Sequence, residues 1–240
     1  TCALPISVSV ITQQQIEDWG AVNIKDILTH TTGIYTSTGA SQDRPSFNIR
    51  GGTVNLIQID GVQQFPGGRR PTVNGDSIAY ERVEIVRGAN GLLTGAGDPT
   101  ATINLIRKRA TSTEFKGSVG GSIGSWDNYR GEVDLSAGLS PNGAVRGRVT
   151  AAYYDRDSFI DRYGQEKSSL YATVEADATE NTLVRVGVEI ADTASRGSIN
   201  TNAAPYYFAD GSRINAPRSY TGMTAKWSGW PLDEETYFLG

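Results

Sequence analysis

The feature that most constrains this chain is a change of period. From Lys116 onward, apolar and polar residues alternate at every second position in stretches of about ten residues. Over 182–191, Val184, Val186, Val188 and Ile190 share one face, and Leu183, Arg185, Gly187, Glu189 and Ala191 take the other. The stretches 131–139, 144–154 and 169–178 alternate in the same way, and 116–124, with Val119 and Ile123, does so more weakly. Strands of about 9–11 residues cross a bilayer when tilted. A soluble sandwich also alternates, so the connections decide. Ser140-Pro141-Asn142-Gly143 and Thr179-Glu180-Asn181 read as tight turns, whereas 156–167 and 193–235 read as longer loops. Turns at one end and loops at the other is the pattern of a transmembrane β-barrel. The link at 125–128 is short for the loop end and fits this pattern less well.

Composition removes several other functions. The 240 residues contain one His, one Cys and one Met, too few for a zinc site, a disulfide framework or a Ser-His-Asp triad. The net charge of −4 leaves no basic footprint for nucleic acid. No stretch approaches the roughly 20 apolar residues of a spanning helix, and a barrel strand, half of it facing polar surroundings, needs no such run.

Residues 7–112 read as a small α+β domain. An alternating strand over 7–11 leads into Thr12, which can cap a helix over 13–18 closed by Gly20. Asn23 can cap a second helix, with Asp26 three residues on and Ile24, Ile27 and Leu28 as its apolar stripe. His30 falls in its last turn, where a cation suits the helix dipole better than a metal would suit a lone imidazole. Short strands are expected at 46–50, 56–60, 82–87 and 102–108. Between them lie polar loops at 36–45, 62–77 and 88–99, long enough to carry function. The glycine-rich run at 88–97 lacks the spacing of a nucleotide loop. At the extreme start, Thr1-Cys2-Ala3-Leu4-Pro5-Ile6 resembles a translated sequencing adapter, so residues 1–6 are read as foreign to the protein and nothing is drawn from Cys2.

Four segments together carry a resemblance. They are Phe47-Asn48-Ile49-Arg50-Gly51-Gly52, Ile57-Gln58-Ile59-Asp60-Gly61-Val62, Glu81-Arg82-Val83-Glu84-Ile85-Val86-Arg87-Gly88, and the run from Gly91 through Ala101-Thr102-Ile103-Asn104-Leu105-Ile106-Arg107-Lys108. In this order they resemble the plug of TonB-dependent outer-membrane receptors, nearest the ferric-siderophore branch. Arg156-Asp157-Ser158-Phe159-Ile160-Asp161-Arg162-Tyr163 is similar to a segment of those receptors as well.

The resemblance implies an α+β plug domain at 7–112, followed at 113–240 by antiparallel strands of a truncated transmembrane β-barrel. Five strands precede the start of a sixth at Tyr237-Phe238-Leu239, whereas plugged transporter barrels close with about 22. It implies no enzyme and no directly bound cofactor or metal, since iron travels as the ferric siderophore. The implied partners are that siderophore, outer-membrane lipid, and a TonB protein reached through a segment upstream of residue 1. A related receptor for cobalamin or a glycan, or a β-rich adhesin, remains an alternative. Ligand contacts are expected at Arg44, Gln63, Gln64, Phe65, Arg69, Arg70 and Trp227, with Trp230, Tyr206 and Tyr207 as weaker candidates. Glu81, Arg82, Glu84 and Arg87 are expected to form plug–barrel salt bridges, and Arg107-Lys108-Arg109 to sit at the joint. Arg69 and Arg70 could equally pair with barrel carboxylates.

Overall fold

The computed structural model describes residues 7–37, 45–64, 75–88, 100–158 and 164–196. The first unit comprises β1 (Ser7–Thr12), α1 (Gln13–Asp18), α2 (Ile24–Thr29), β2 (Ile34–Ser37), β3 (Ser46–Ile49), β4 (Gly52–Thr53), β5 (Leu56–Ile59) and β6 (Val62–Gln63). A 3-10 turn (Ser77–Ala79), β7 (Tyr80–Arg87) and β8 (Ala101–Arg107) complete it. Its main sheet has the order β1-β7-β8-β5-β6, and β2-β3-β4 form a small second sheet. Only the β5–β8 pair runs parallel among the described strand pairs of this unit.

Local chemistry starts both helices where the sequence puts them. The Thr12 hydroxyl accepts the Gln15 amide at 3.4 Å, and the Gln15 side chain accepts the Thr12 amide at 3.0 Å, a reciprocal capping box. The Asn23 side chain accepts the Asp26 amide at 2.9 Å. Ile24, Ile27 and Leu28 of α2 are fully buried against Val83 and Ile85 of β7 and Ile103 and Leu105 of β8. His30 is the C-cap residue of α2, and its ring stacks on Trp19 with centroids 5.4 Å apart.

The second unit is a sheet of β9 (Lys116–Gly124), β10 (Asn128–Gly138), β11 (Val145–Asp157), β12 (Gly164–Thr179) and β13 (Thr182–Arg196). Each strand pairs antiparallel with its sequence neighbour, in the order β13-β12-β11-β10-β9. One face carries exposed Val119, Ile123, Leu135, Val184, Val186 and Ile190. The other face packs on the first unit. Strands run further than apolar alternation suggests: β11 continues to Asp157, β12 begins at Gly164 and β13 reaches Arg196. The ladder needs only backbone groups, so it continues through Gln165, Glu166 and Lys167, where no apolar stripe marks it. The loops expected at 156–167 and 193–235 are shortened accordingly. The short link at 125–128 is a hairpin turn with Trp126 at φ 66° and Asp127 at φ 48°, the left-handed pair that matches strand twist. Residues 1–6 and the expected sixth strand lie outside the described residues.

Leu105 has no exposed surface and sits in the middle of the first unit's core. Leu105→Ala is expected to destabilise that unit by about 2–5 kcal/mol. Chemical denaturation should show a lower midpoint with an unchanged slope.

Candidate functional site

The described residues that carry unusual chemistry lie where the first unit meets the strand wall. An extended backbone points successive side chains in opposite directions, and the run after β8 uses this. Arg107 bonds Glu189 of β13 through Nε at 2.8 Å and Nη2 at 2.7 Å. Lys108 turns the other way and meets Asp134 of β10 at 2.8 Å. Arg109 grips Glu175 of β12 with two bonds of 2.9 and 2.8 Å. Three consecutive cations thus fasten to three different strands, as expected of a joint. Backbone carbonyls join in: Tyr171 donates to Lys108 O at 3.0 Å, Arg148 to Arg109 O at 3.2 Å and Arg146 to Ala110 O at 3.2 Å.

Higher on the wall, Arg130 of β10 makes a bidentate pair with Asp76, at 2.9 and 2.8 Å, with side chains only 7% and 2% exposed. Arg130 also holds Glu132 at 2.9 Å. Asp76 caps the 3-10 turn by accepting the Ile78 amide at 3.0 Å, so the barrel pair and the local turn share one carboxylate. Tyr80 donates to Glu189 at 3.2 Å, and burial followed by the Glu189 charge pushes the phenol's pKa well above its ordinary value. It remains a donor. Burial opposes the Arg107 charge, but Glu189, Tyr80 and Asp60 outweigh it and hold the guanidinium above its usual pKa. Beside these groups is a polar cavity of about 140 Å³, lined by Asp60, Arg107, Tyr171, Thr173, Arg185 and Glu189 among others. A larger one of about 300 Å³ separates α1 from Gly120, Gly121 and Ser122 of β9. It exists because the β9 residues facing inward are small.

Among the described residues, Arg82, Glu84 and Arg87, expected at the plug–barrel contact, bond within the first unit. Arg82 pairs with Glu84 on its own strand at 2.8 Å, and Glu84 accepts from Asn104 at 3.1 Å. Arg87 donates to Ser9 at 2.6 Å and to Thr32 O at 2.8 Å. These bonds lie inside the first unit, because β7 is flanked by β1 and β8. Glu81, half-buried at the bulge in β7, only adds its field to Arg109. Strand residues that sequence reasoning left unassigned, Asp134, Glu175 and Glu189, provide the carboxylates instead. Their place on the polar face was visible, but their partners depend on register.

Of the expected ligand contacts, Gln63 is exposed on β6, and Gln64 donates its amide to Ile57 O at 2.9 Å. Both follow the Asp60-Gly61 turn, which Arg107 and Arg185 approach at 3.4 and 3.8 Å. Arg44, Phe65, Arg69, Arg70 and Trp227, with Trp230, Tyr206 and Tyr207, lie outside the described residues.

A small mixed domain pinned by charge to one face of an antiparallel wall, whose other face is apolar and exposed, defines a plugged barrel. Residues 3–102 match the TonB-dependent receptor plug domain, and the chain belongs to the TonB-dependent receptors. The relatives that match it are outer-membrane receptors. It is 41% identical over 98% of its length to the ferripyoverdine receptor of Pseudomonas aeruginosa, of which it covers 29%. To the ferric-pyoverdine 358 receptor of Pseudomonas putida it is 40% identical, over 93% of this chain and 27% of that one. The crystal structure of the P. aeruginosa receptor bound to ferripyoverdine superposes with a TM-score of 0.78 at 40% identity, covering 93% of this chain and 30% of that chain. The alcaligin receptor of Bordetella pertussis gives 0.69 at 36% identity, covering 80% and 32%. The chain therefore spans under a third of the length of these relatives.

Glu175 is 1% exposed while Arg109 is 43% exposed. Arg109→Met should strand a buried carboxylate and cost about 3–5 kcal/mol, whereas Arg109→Met with Glu175→Met should recover most of that. Thermal unfolding of the intact receptor in detergent reads both.

Proposed function

We propose that the chain is the plug and first strands of a receptor that binds a ferric siderophore of the pyoverdine class and imports it into the periplasm. The observation carrying this reading is the 41% identity to a ferripyoverdine receptor across plug and strand wall alike. Iron is cargo held by the siderophore, and the protein contributes no covalent chemistry. Energy comes from a TonB protein that engages a segment outside this chain and pulls on the plug. The exposed apolar face, with Val119 and Ile123 each 83% exposed, contacts outer-membrane lipid.

The residues proposed to touch the chelate are Arg44, Gln63, Gln64, Phe65, Arg69, Arg70 and Trp227. Aromatic rings suit the flat apolar parts of a chelate, and Arg or Gln suits its oxygen-rich rim. Arg69 and Arg70, beside Pro66, Gly67 and Gly68, are the strongest anionic contacts available in the 62–77 loop.

Purified intact receptor should quench its tryptophan fluorescence on binding ferripyoverdine. Replacing Arg69 and Arg70 together by Ala should weaken that binding about tenfold or more, since one charge-assisted bond is worth roughly 1.5–3 kcal/mol. Unchanged affinity with a lower melting temperature would give both arginines to the barrel wall. In cells, uptake of iron-55 ferripyoverdine should vanish when TonB is deleted while binding persists. Uptake that survives the deletion would remove TonB from the reading.

A further inference from the structure

The plug–barrel interface contains a largely buried lysine that, among the described residues, feels carboxylates without bonding to one. Lys167 of β12 is 7% exposed, and its ammonium makes no hydrogen bond or ion pair among the described residues. Beside it are the Tyr154 hydroxyl and the Ser169 hydroxyl, both buried and both without a partner. Strand register explains their proximity. Arg130 lies opposite Tyr154, Tyr154 opposite Lys167, and Ser169 follows two positions along the same face of β12. Arg130, Tyr154 and Lys167 therefore form one row across three strands, with steps of about 4.8 Å. Asp76 grips the Arg130 end of that row, and its field reaches Lys167.

Buried polar groups in folded proteins are nearly always satisfied, so a cluster of unsatisfied ones needs an explanation. We propose that Lys167, Tyr154 and Ser169 are a second seat for the Asp76 carboxylate, taken when the plug shifts along the wall. The bond from the Ile78 amide travels with Asp76, because both belong to the plug. Only the bond to Arg130 has to be exchanged. A lysine on a flexible stem suits such a transfer better than a second rigid guanidinium. The row spares the plug from leaving a buried carboxylate unpaired as it moves.

The other charges near Lys167 are Asp26, Arg130 and Glu189, with Arg156 stacked on the Tyr154 ring at 5.3 Å. Asp26 is the rival claimant. It already accepts the Val22 amide at 3.3 Å, and burial pushes its carboxyl above its ordinary pKa, which weakens it as a partner for an ammonium.

The test is a double-mutant cycle on the intact receptor, read by plug melting. Lys167→Met alone removes an unpaired buried charge and should leave the melting temperature unchanged or higher. Arg130→Met should lower it, with the loss limited because Asp76 can move to Lys167. In the Arg130→Met background, Lys167→Met should lower it by several further degrees, reversing its sign. Additive effects would assign the cluster to bound water and overturn the proposal. A loss from Lys167→Met alone would give Lys167 a structural role and overturn it too. If Arg130→Met does not assemble, Arg130→Lys serves in the same cycle.

A second arm rests on the proposed import function. Lys167→Met should slow ferripyoverdine uptake about tenfold at unchanged binding, and Lys167→Arg should restore it. Full uptake in the Met variant would overturn use of the seat in transport. A wild-type receptor that binds no ferripyoverdine would instead overturn the cargo reading, and the melting cycle would still decide on the seat.

Discussion

Charge compensation across the interface between plug and wall is the constraint on which the rest of this structure depends. Asp76, Lys108, Glu175 and the side chain of Arg130 are each less than 10% exposed, so none can be left alone at tolerable cost. Each pairs with a group on the other unit: Asp76 with Arg130, Lys108 with Asp134, Glu175 with Arg109. Such pairs add little net stability against apolar side chains of equal size. What they add is register. A hydrophobic interface would slide, whereas a bidentate carboxylate–guanidinium pair has one geometry. The plug is thereby indexed to particular strands without being welded to them by apolar contact.

That distinction bears on the proposed import, in which the plug moves. The plug's own core is aliphatic and closed, with Ile24, Ile27, Leu28, Val83, Ile85, Ile103 and Leu105 fully buried. Its contact with the wall is mostly polar, with Tyr171 the wall residue that joins the core cluster. Cohesion inside the plug and exchangeable bonds outside it favour displacement of the plug as a body over its dissolution in place. The small inward residues of β9 leave about 300 Å³ beside α1, so one side of the plug meets least resistance.

Much of this was legible in the sequence, and the gaps have physical reasons. Alternation located the wall because lipid and plug impose opposite chemistry on successive residues. Thr12, Asn23 and the stripe of Ile24, Ile27 and Leu28 located both helices because caps and stripes are local. Strand ends beyond the lipid were missed, since Gln165, Glu166 and Lys167 extend the ladder through backbone bonds that leave no pattern in side chains. The partners of Arg82 and Glu84 were not legible for a related reason. Arg82 and Glu84 look like an interface motif, yet their strand is interior to the plug sheet and they satisfy each other. Pairing is a property of register, and register is set by neighbours distant in sequence. The Arg107-Lys108-Arg109 run was placed correctly because three adjacent cations directly after the last plug strand have nowhere to go but the wall.

The same logic bears on where sensing of cargo can reach. Asp76 lies at the end of the 62–77 stretch that carries Arg69 and Arg70, and it is also bridged to Asn23 at the head of α2. One residue therefore joins a candidate ligand loop, a helix cap and a barrel strand. A chelate that pulled that loop outward would act on the contacts at its two ends, Asp60–Arg185 and Asp76–Arg130, before the joint further along the chain. The joint at Arg107, Lys108 and Arg109 lies further along the chain, beyond β7 and β8. Force from the loop would have to pass through the plug core to reach it. On the proposed seat, the two clusters would divide the work: the joint would tether the plug to the wall, and the Asp76 pair would be the contact that movement exchanges.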